Sequence, residues 1–155
     1  MPTIGAQSPP LQGATADGDF DLTAQKGRPV VVYFYPRDAT PGCTTEARDF
    51  RDLHGDFDAL GAVIVGVSRD TVKSHDRFKT KECLPFPLVS DGDGAITEAW
   101  GVWREKKMYG RSSMGIVRST FLVAPDGTVA DIWDPVKVKG HASAVLDAVR
   151  KLVGA

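Results

Sequence analysis

The chain has 155 residues, of which 25% are charged and 42% are hydrophobic, and its formal net charge at pH 7 is −1. A chain of this length can bury a substantial core, so we predict a single domain over residues 1–155. The balanced charge excludes the electrostatic attraction on which nucleic-acid and membrane-surface partners depend. The longest apolar run, residues 30–35, is too short to span a bilayer, and the first residues lack the pattern of a secretion signal. We therefore expect a soluble, cytoplasmic protein.

The predicted elements alternate along the chain. After a Pro/Gly-rich entry at residues 8–18, which we expect to be an arm, β-branched and aromatic segments predict strands at residues 30–35, 63–68, 120–124 and 128–133. Helical periodicity occupies residues 44–60, 71–82, 95–100 and 141–153. The charged run at residues 104–107 is expected to be a solvated loop. This order predicts an α/β fold with a central mixed β-sheet and helices on both faces.

The junction after the first predicted strand has the features of a reactive cysteine site. Thr40 suits the N-cap of a helix and Pro41 suits its first position, which places Cys43 in the first turn. Unpaired backbone N–H groups and the positive end of the helix dipole favour a thiolate there. The neighbouring Pro41-Gly42 pair predicts an accessible sulfur, and Cys43 is therefore our candidate nucleophile.

The helix terminus alone is too weak to ionise such a thiol. Lowering the pKa of a cysteine from about 8.5 to about 6 requires roughly 3.5 kcal/mol, whereas a helix terminus contributes at most about 2 kcal/mol. Glu46, one turn further on, opposes the thiolate unless it is itself paired. A cation from elsewhere in the chain is needed, and we select Arg118, at the start of the predicted strand STFLVA.

Two motifs resemble those of a known family. The pattern PxxxTxxC, formed by Pro36, Thr40 and Cys43, is similar to the active-site signature of peroxiredoxins. PGCTTEA together with GIVRSTFLV resembles the branch called peroxiredoxin Q or bacterioferritin comigratory protein, over residues 18–153. The resemblance implies a thioredoxin-like fold and a peroxidatic Cys43, with Thr40 bonded to thiolate and peroxide, Arg118 holding thiolate and substrate oxygens, and Pro36 shielding the sulfur.

The resemblance also implies the reaction and its partners. The thiolate would attack hydrogen peroxide or a small organic hydroperoxide and become a sulfenic acid. Thioredoxin or glutaredoxin would then return the enzyme to its reduced form, and the protein would work as a monomer. No cofactor is required by this chemistry.

The role of the second cysteine, Cys83, stays open. The resembled branch often has a resolving cysteine five residues after the nucleophile, where this chain has Arg48, or in the next helix at the position of Lys79. Cys83 lies one helical turn beyond Lys79 and could reach Cys43 if both helix ends unwind. Alternatively, Cys83 is a small packed residue beside Leu84 and the enzyme uses one cysteine.

Other functions match the sequence less well. A disulfide reductase needs Cys-x-x-Cys, but Glu46 occupies the second position, and a cysteine phosphatase needs an arginine where Asp49 stands. A non-catalytic holdase or redox adaptor could use the same fold. The two cysteines and three histidines show no metal-binding spacing, so we predict no metal site.

Overall fold

The structure, a computed structural model, describes residues 1–154. Its strands are β1 (Gln12–Thr15), β2 (Gly18–Asp21), β3 (Val30–Phe34), β4 (Val63–Ser68), β5 (Leu88–Ser90), β6 (Trp103–Met108), β7 (Arg111–Ile116), β8 (Ser119–Val123) and β9 (Val129–Trp133). Its helices are α1 (Pro41–Asp52), α2 (His54–Ala59), α3 (Val72–Glu82), α4 (Ala95–Ala99) and α5 (His141–Val153), with a 3-10 turn at Leu22–Gln25. All four predicted strands and all four predicted helical regions are present.

Strand β3 lies near the centre of a mixed sheet with the order β2-β1-β5-β4-β3-β8-β9. It pairs in parallel with β4 and antiparallel with β8. All five of its residues are buried, as expected for a strand that is covered on both faces. The predicted mixed sheet is confirmed, and β6 and β7 form a separate two-stranded sheet.

Two apolar layers cover the sheet because successive β3 side chains point to opposite faces. Val31 and Tyr33 pack with buried residues of α1, α2, α3 and α5. Val32 and Phe34 pack with Ile96 of α4 and with the N-terminal segment. Helices therefore lie on both faces, as predicted.

Three sequence expectations are wrong in detail. The helix predicted at residues 44–60 is divided into α1 and α2 at Leu53, and its apolar periodicity runs through the break because Phe50 and Phe57 are both fully buried. The expected N-terminal arm contributes β1, which joins the sheet beside β5. The charged run at residues 104–107 belongs to strand β6, since a two-stranded hairpin can leave one face in water.

We predict that Gly66→Ala lowers the free energy of unfolding by about 1–3 kcal/mol, as overpacking does in close-packed cores. Gly66 lies on β4 between Tyr33 and Leu88, and an added Cβ would lie 2.8 Å from a side-chain atom of each. The control is Gly55→Ala on α2, where an added Cβ meets nothing within 4 Å and stability should rise by about 0.5–1 kcal/mol. Urea unfolding measures both, and equal effects of the two changes would contradict the packing argument.

Candidate active site

The junction between β3 and α1 places Cys43 in the first turn of α1, as predicted. Thr40 occupies the N-cap position with an extended backbone, and its carbonyl accepts the first intrahelical hydrogen bond, from the N–H of Thr44 at 2.9 Å. The Thr40 hydroxyl does not cap the helix but donates to the carbonyl of Arg37 at 2.9 Å. Thr40 is therefore confirmed as the N-cap residue. Its side chain stabilises the preceding loop and makes no hydrogen bond to the helix.

The pairing of β8 with β3 brings Arg118 to this junction. Phe34, the last residue of β3, is in register with Ser119, the first residue of β8. Arg118 immediately precedes Ser119 and so lies at the same edge of the sheet as the start of α1. Its Nη2 donates to the Sγ of Cys43 at 3.3 Å. Gly42 permits this approach, since a Cβ at that position would lie 3.1 Å from Nη2.

Glu46 is paired with the same guanidinium. Nη1 of Arg118 donates to Oε1 of Glu46 at 2.7 Å, which is the pairing that a thiolate one turn away requires. Glu46 is only 1% exposed, and its Oε2 has no hydrogen-bond partner among the groups of residues 1–154. Burial raises the pKa of Glu46 to about 7, against the opposing effect of Arg118.

The charged form of Arg118 is stabilised by Glu46 and Cys43. Burial opposes the guanidinium charge, but the Glu46 carboxylate and the Cys43 sulfur outweigh burial and raise the pKa of Arg118 above its ordinary value. Close behind lies Tyr33, whose pKa is raised well above its usual range by burial first and by Glu46 second. Tyr33 therefore stays protonated, and the site contains one permanent cation between two acidic groups.

The sulfur is less accessible than the sequence indicates. Cys43 is 2% exposed and belongs to the apolar cluster that contains Tyr33 and Phe50. Pro41 and Gly42, beside it in the chain, are exposed, and Pro36 is half-buried. The expectation of an exposed sulfur is wrong because the first turn of α1 packs its inner face on the sheet.

The comparison with known proteins agrees with this geometry. Residues 4–132 match the AhpC/TSA family. The chain belongs to this family. Peroxiredoxin Bcp of Xanthomonas campestris is 57% identical over 129 residues, which are 83% of this chain and 81% of that protein. Peroxiredoxin Bcp of Bacillus subtilis is 45% identical over 150 residues, 96% of each chain.

The chain is also similar to a solved structure of the Xanthomonas campestris bacterioferritin comigratory protein, which was studied for its alkyl peroxide reduction activity. The two structures align with a TM-score of 0.88 and 51% sequence identity over 92% of each chain. The resemblance to the peroxiredoxin Q branch, the thioredoxin-like fold and the thiol-dependent peroxidase activity are thereby confirmed. Within residues 1–154, no helix combines the length and hydrophobicity needed to cross a bilayer.

The loop that carries Thr40 in this peroxiredoxin is anchored by Asp38, which sequence reasoning missed. The Asp38 carboxylate accepts hydrogen bonds from the hydroxyls of Tyr35 at 2.6 Å and Ser74 at 2.8 Å. It also lies 2.7 Å from Nδ1 of His75 on α3. Burial opposes its ionisation, but the bonds to His75 and Tyr35 outweigh burial and lower the pKa of Asp38.

His75 completes this anchor from inside the protein. Its Nε2 lies 3.1 Å from the carbonyl of Val89, and its Nδ1 faces Asp38. Both ring nitrogens face oxygen atoms, so the two contacts fix the orientation of the ring. Asp38 and His75 are 37 residues apart, and no spacing rule in the sequence connects them.

Asp38, Asp70 and His75 also place potential metal-ligand atoms within 4.8 Å of one another. These atoms already bind protein groups: the carboxylate of Asp70 accepts from the backbone N–H of Asp38 at 2.9 Å and from the hydroxyl of Ser68 at 2.6 Å. We interpret the group as a hydrogen-bond network that fixes the loop. Next to it, Ala39 has a φ of 62°, a strained value for a non-glycine residue that the surrounding contacts must hold.

Cys83 lies at the C-terminal end of α3. It is the helix C-cap, with a left-handed φ of 54°, and it is exposed. The alternative in which Cys83 is packed beside Leu84 is wrong, because Leu84 is buried and Cys83 is not. Pro85 two residues later disfavours continuation of the helix and explains the end of α3 at this point.

The end of α3 is tied to α1 by Glu82. Nε of Arg48 lies 2.6 Å from the Glu82 carboxylate, and Arg51 donates to the Glu82 carbonyl at 2.9 Å. Arg48 occupies the position where the branch often has a resolving cysteine, and here it joins the two helices. Cys83 follows Glu82 directly, so the end of α3 that carries Cys83 is joined to α1 through Glu82.

We expect the pH dependence of stability to identify Glu46 as a buried acid. Between pH 4.5 and about 7 the folded chain keeps the Glu46 proton that the unfolded chain has lost, so stability falls as pH rises through this window. Glu46→Gln removes the effect. Its free energy of unfolding relative to the parent protein should therefore increase from pH 5 to pH 8, by on the order of 1–3 kcal/mol.

The control for this measurement is Glu98→Gln, which removes an exposed carboxylate on α4 and corrects for the change in overall charge. Urea unfolding of the reduced proteins at the two pH values supplies the four free energies. The same difference at both pH values would show that Glu46 titrates as an ordinary surface carboxylate.

Proposed function

We propose that Cys43 is the nucleophile of this thiol-dependent peroxidase, and that the O–O bond is broken between Cys43 and Arg118. The observation that carries the proposal is the contact of 3.3 Å between Nη2 of Arg118 and Sγ of Cys43. A thiolate at a helix N-terminus beside a cation is the reactive form of cysteine. We also propose that residues 1–155 work as one thioredoxin-like peroxiredoxin domain.

The proposed reaction transfers two electrons from sulfur to the peroxide. The Cys43 thiolate attacks the distal oxygen of ROOH, an S–O bond forms as the O–O bond breaks, and RO⁻ leaves and takes a proton to become ROH. The sulfur is left as a sulfenic acid. R is hydrogen or a small alkyl group, which the alkyl peroxide reduction of the Xanthomonas campestris relative supports. Burial of Cys43 favours small hydroperoxides.

Each neighbouring group has a proposed part. Arg118 stabilises the thiolate and the negative charge that develops on the leaving oxygen, the step at which preorganised donors are most effective. The Thr40 hydroxyl donates its hydrogen bond to the Arg37 carbonyl, which leaves its oxygen lone pairs to accept a hydrogen bond from the peroxide. Pro36, half-buried two residues after the end of β3, shields the sulfur from bulk water.

We propose thioredoxin or glutaredoxin as the reductant, a monomeric enzyme and a cytoplasmic location. Both cysteines are free thiols, which suits a reducing compartment. The sulfenic acid has two routes back to the thiol. Either Cys83 attacks it and releases water to form a disulfide that the reductant then opens, or the reductant attacks Cys43 directly.

Mass spectrometry after one equivalent of hydrogen peroxide tests the nucleophile and separates the two routes. We expect either one added oxygen on Cys43, trapped by a sulfenic-acid reagent, or a Cys43–Cys83 disulfide with the loss of two hydrogens. Cys83→Ser should show only the added oxygen. Cys43→Ser should lose peroxide-dependent consumption of thiol reductant. Full turnover by Cys43→Ser would overturn the proposal.

Arg118→Ala should slow peroxide reduction by about 100–1000-fold, the usual cost of removing one preorganised donor. It should also move the midpoint of the pH dependence of Cys43 alkylation to higher pH, because the thiolate loses its contacting cation. Arg111→Ala removes an exposed charge from β7 and is the matched control. An alkylation profile of Arg118→Ala that coincides with that of the parent would remove Arg118 from the proposed machinery.

A further inference from the structure

The site has an imbalance of charge. Once Glu46 has lost its proton, above a pH of about 7, a Cys43 thiolate and a Glu46 carboxylate both contact Arg118, which carries a single positive charge. Both the carboxylate and the sulfur are buried, and charges without full solvation interact more strongly than charges in water. A second cation near the pair would correct the imbalance.

Lys106 on strand β6 extends its side chain toward the end of β7, the strand that leads to Arg118. Its register partner on β7 is Ser113, but its side chain does not stay at that level. The side chain crosses Gly115, where an added Cβ would lie 2.9 Å from Lys106 Cδ, and its Nζ donates to the carbonyl of Ile116 at 2.7 Å. The ammonium is therefore held at the end of β7, two residues before Arg118.

The charge on Lys106 is not neutralised by an ion pair. Within residues 1–154, no carboxylate oxygen lies within 4.0 Å of its Nζ, which binds a backbone carbonyl instead. Glu105 accepts a hydrogen bond from Ser112, and neighbouring positions of a strand face opposite sides. Arg104 is paired with Asp134 at 2.6 Å. Unlike Arg104, Lys106 therefore keeps a positive charge that no neighbouring carboxylate neutralises.

We propose that Lys106 is a positioning residue of the peroxidase: held over Gly115 by the Ile116 carbonyl, it supplies the second positive charge that favours the Cys43 thiolate beside Glu46. The proposal rests on the proposed role of Cys43. Of the influences on the pKa of Lys106, that of the Cys43 sulfur is the one the proposal requires. Burial first and Arg118 second lower the pKa of Lys106, while Cys43 raises it, so the three groups interact electrostatically.

Lys107 is the matched control. It is the next residue on the same strand, it is exposed, and its register partner is Ser112. Its side chain faces away from that of Lys106 because side chains alternate along a strand. Lys106→Gln and Lys107→Gln therefore remove the same charge from the same strand, one from the side of the site and one from the side of solvent.

The experiment follows iodoacetamide alkylation of Cys43 as a function of pH, read on the Cys43 peptide by mass spectrometry. Lys106→Gln should raise the midpoint by about 0.5–1 pH unit and slow alkylation at pH 7 by about 3–10-fold. Lys106→Arg keeps the charge and should restore most of the shift. Lys107→Gln should coincide with the parent protein. An unshifted midpoint in Lys106→Gln, or an equal shift in Lys107→Gln, overturns the proposal.

Gly115→Ala tests the placement of Lys106 without removing its charge. The added methyl must displace the lysine side chain, so the midpoint should rise in the same direction by a smaller amount. In the Lys106→Gln background the same change should add nothing, as expected for two residues that act through one interaction. Additive shifts would contradict the proposed geometry. Alkylation needs no peroxide, so these outcomes are independent of the peroxide experiments on Cys43 that decide the proposed function.

Discussion

The guanidinium of Arg118 is the group on which the site depends, because it binds the Cys43 sulfur and the Glu46 carboxylate at the same time. Two acidic groups one turn apart on a helix repel each other when both are charged, and burial removes the water that would screen them. The planar fork of an arginine has a donor for each. A lysine at the same position would offer one compact charge and could not bridge the two with the same geometry.

The register between β3 and β8 places this guanidinium beside Cys43. Strand β8 runs antiparallel to β3, so the residue that enters β8 meets the residue that leaves β3. The same junction starts α1 and presents its first-turn N–H groups. The local chemistry of the cysteine is therefore set by a pairing of two central strands. A shift of that pairing by one residue would move Arg118 to the opposite face.

The loop between β3 and α1 is held from the other side by Asp38 and His75. This buried hydrogen-bonded pair fixes the position of the loop, because separating its members would leave buried polar groups without partners. Its position matters here because Ala39, with φ at 62°, lies between this anchor and Thr40. We interpret the pair as the device that keeps the strained loop in the conformation that orients the Thr40 hydroxyl and the start of α1. Cys43 itself can then be nearly buried and still have a contacting cation.

The sequence alone determined what depends on neighbours in the chain: the buried strand β3, the cap at Thr40, the helical start at Pro41 and the first-turn position of Cys43. These follow from backbone preferences and capping, which act over a few residues. The need for a cation and a family motif both point to Arg118, but only the pairing of β8 with β3 places it 3.3 Å from the sulfur.

Only the tertiary structure decided that Cys43 is buried and that Asp38 contacts His75. It also decided that Cys83 is exposed with a left-handed backbone and that the Lys106 side chain packs over Gly115. Each of these depends on which strands and helices become neighbours. That choice comes from the sum of many weak packing and hydrogen-bonding terms between residues distant in the chain, and no local pattern of residues records it.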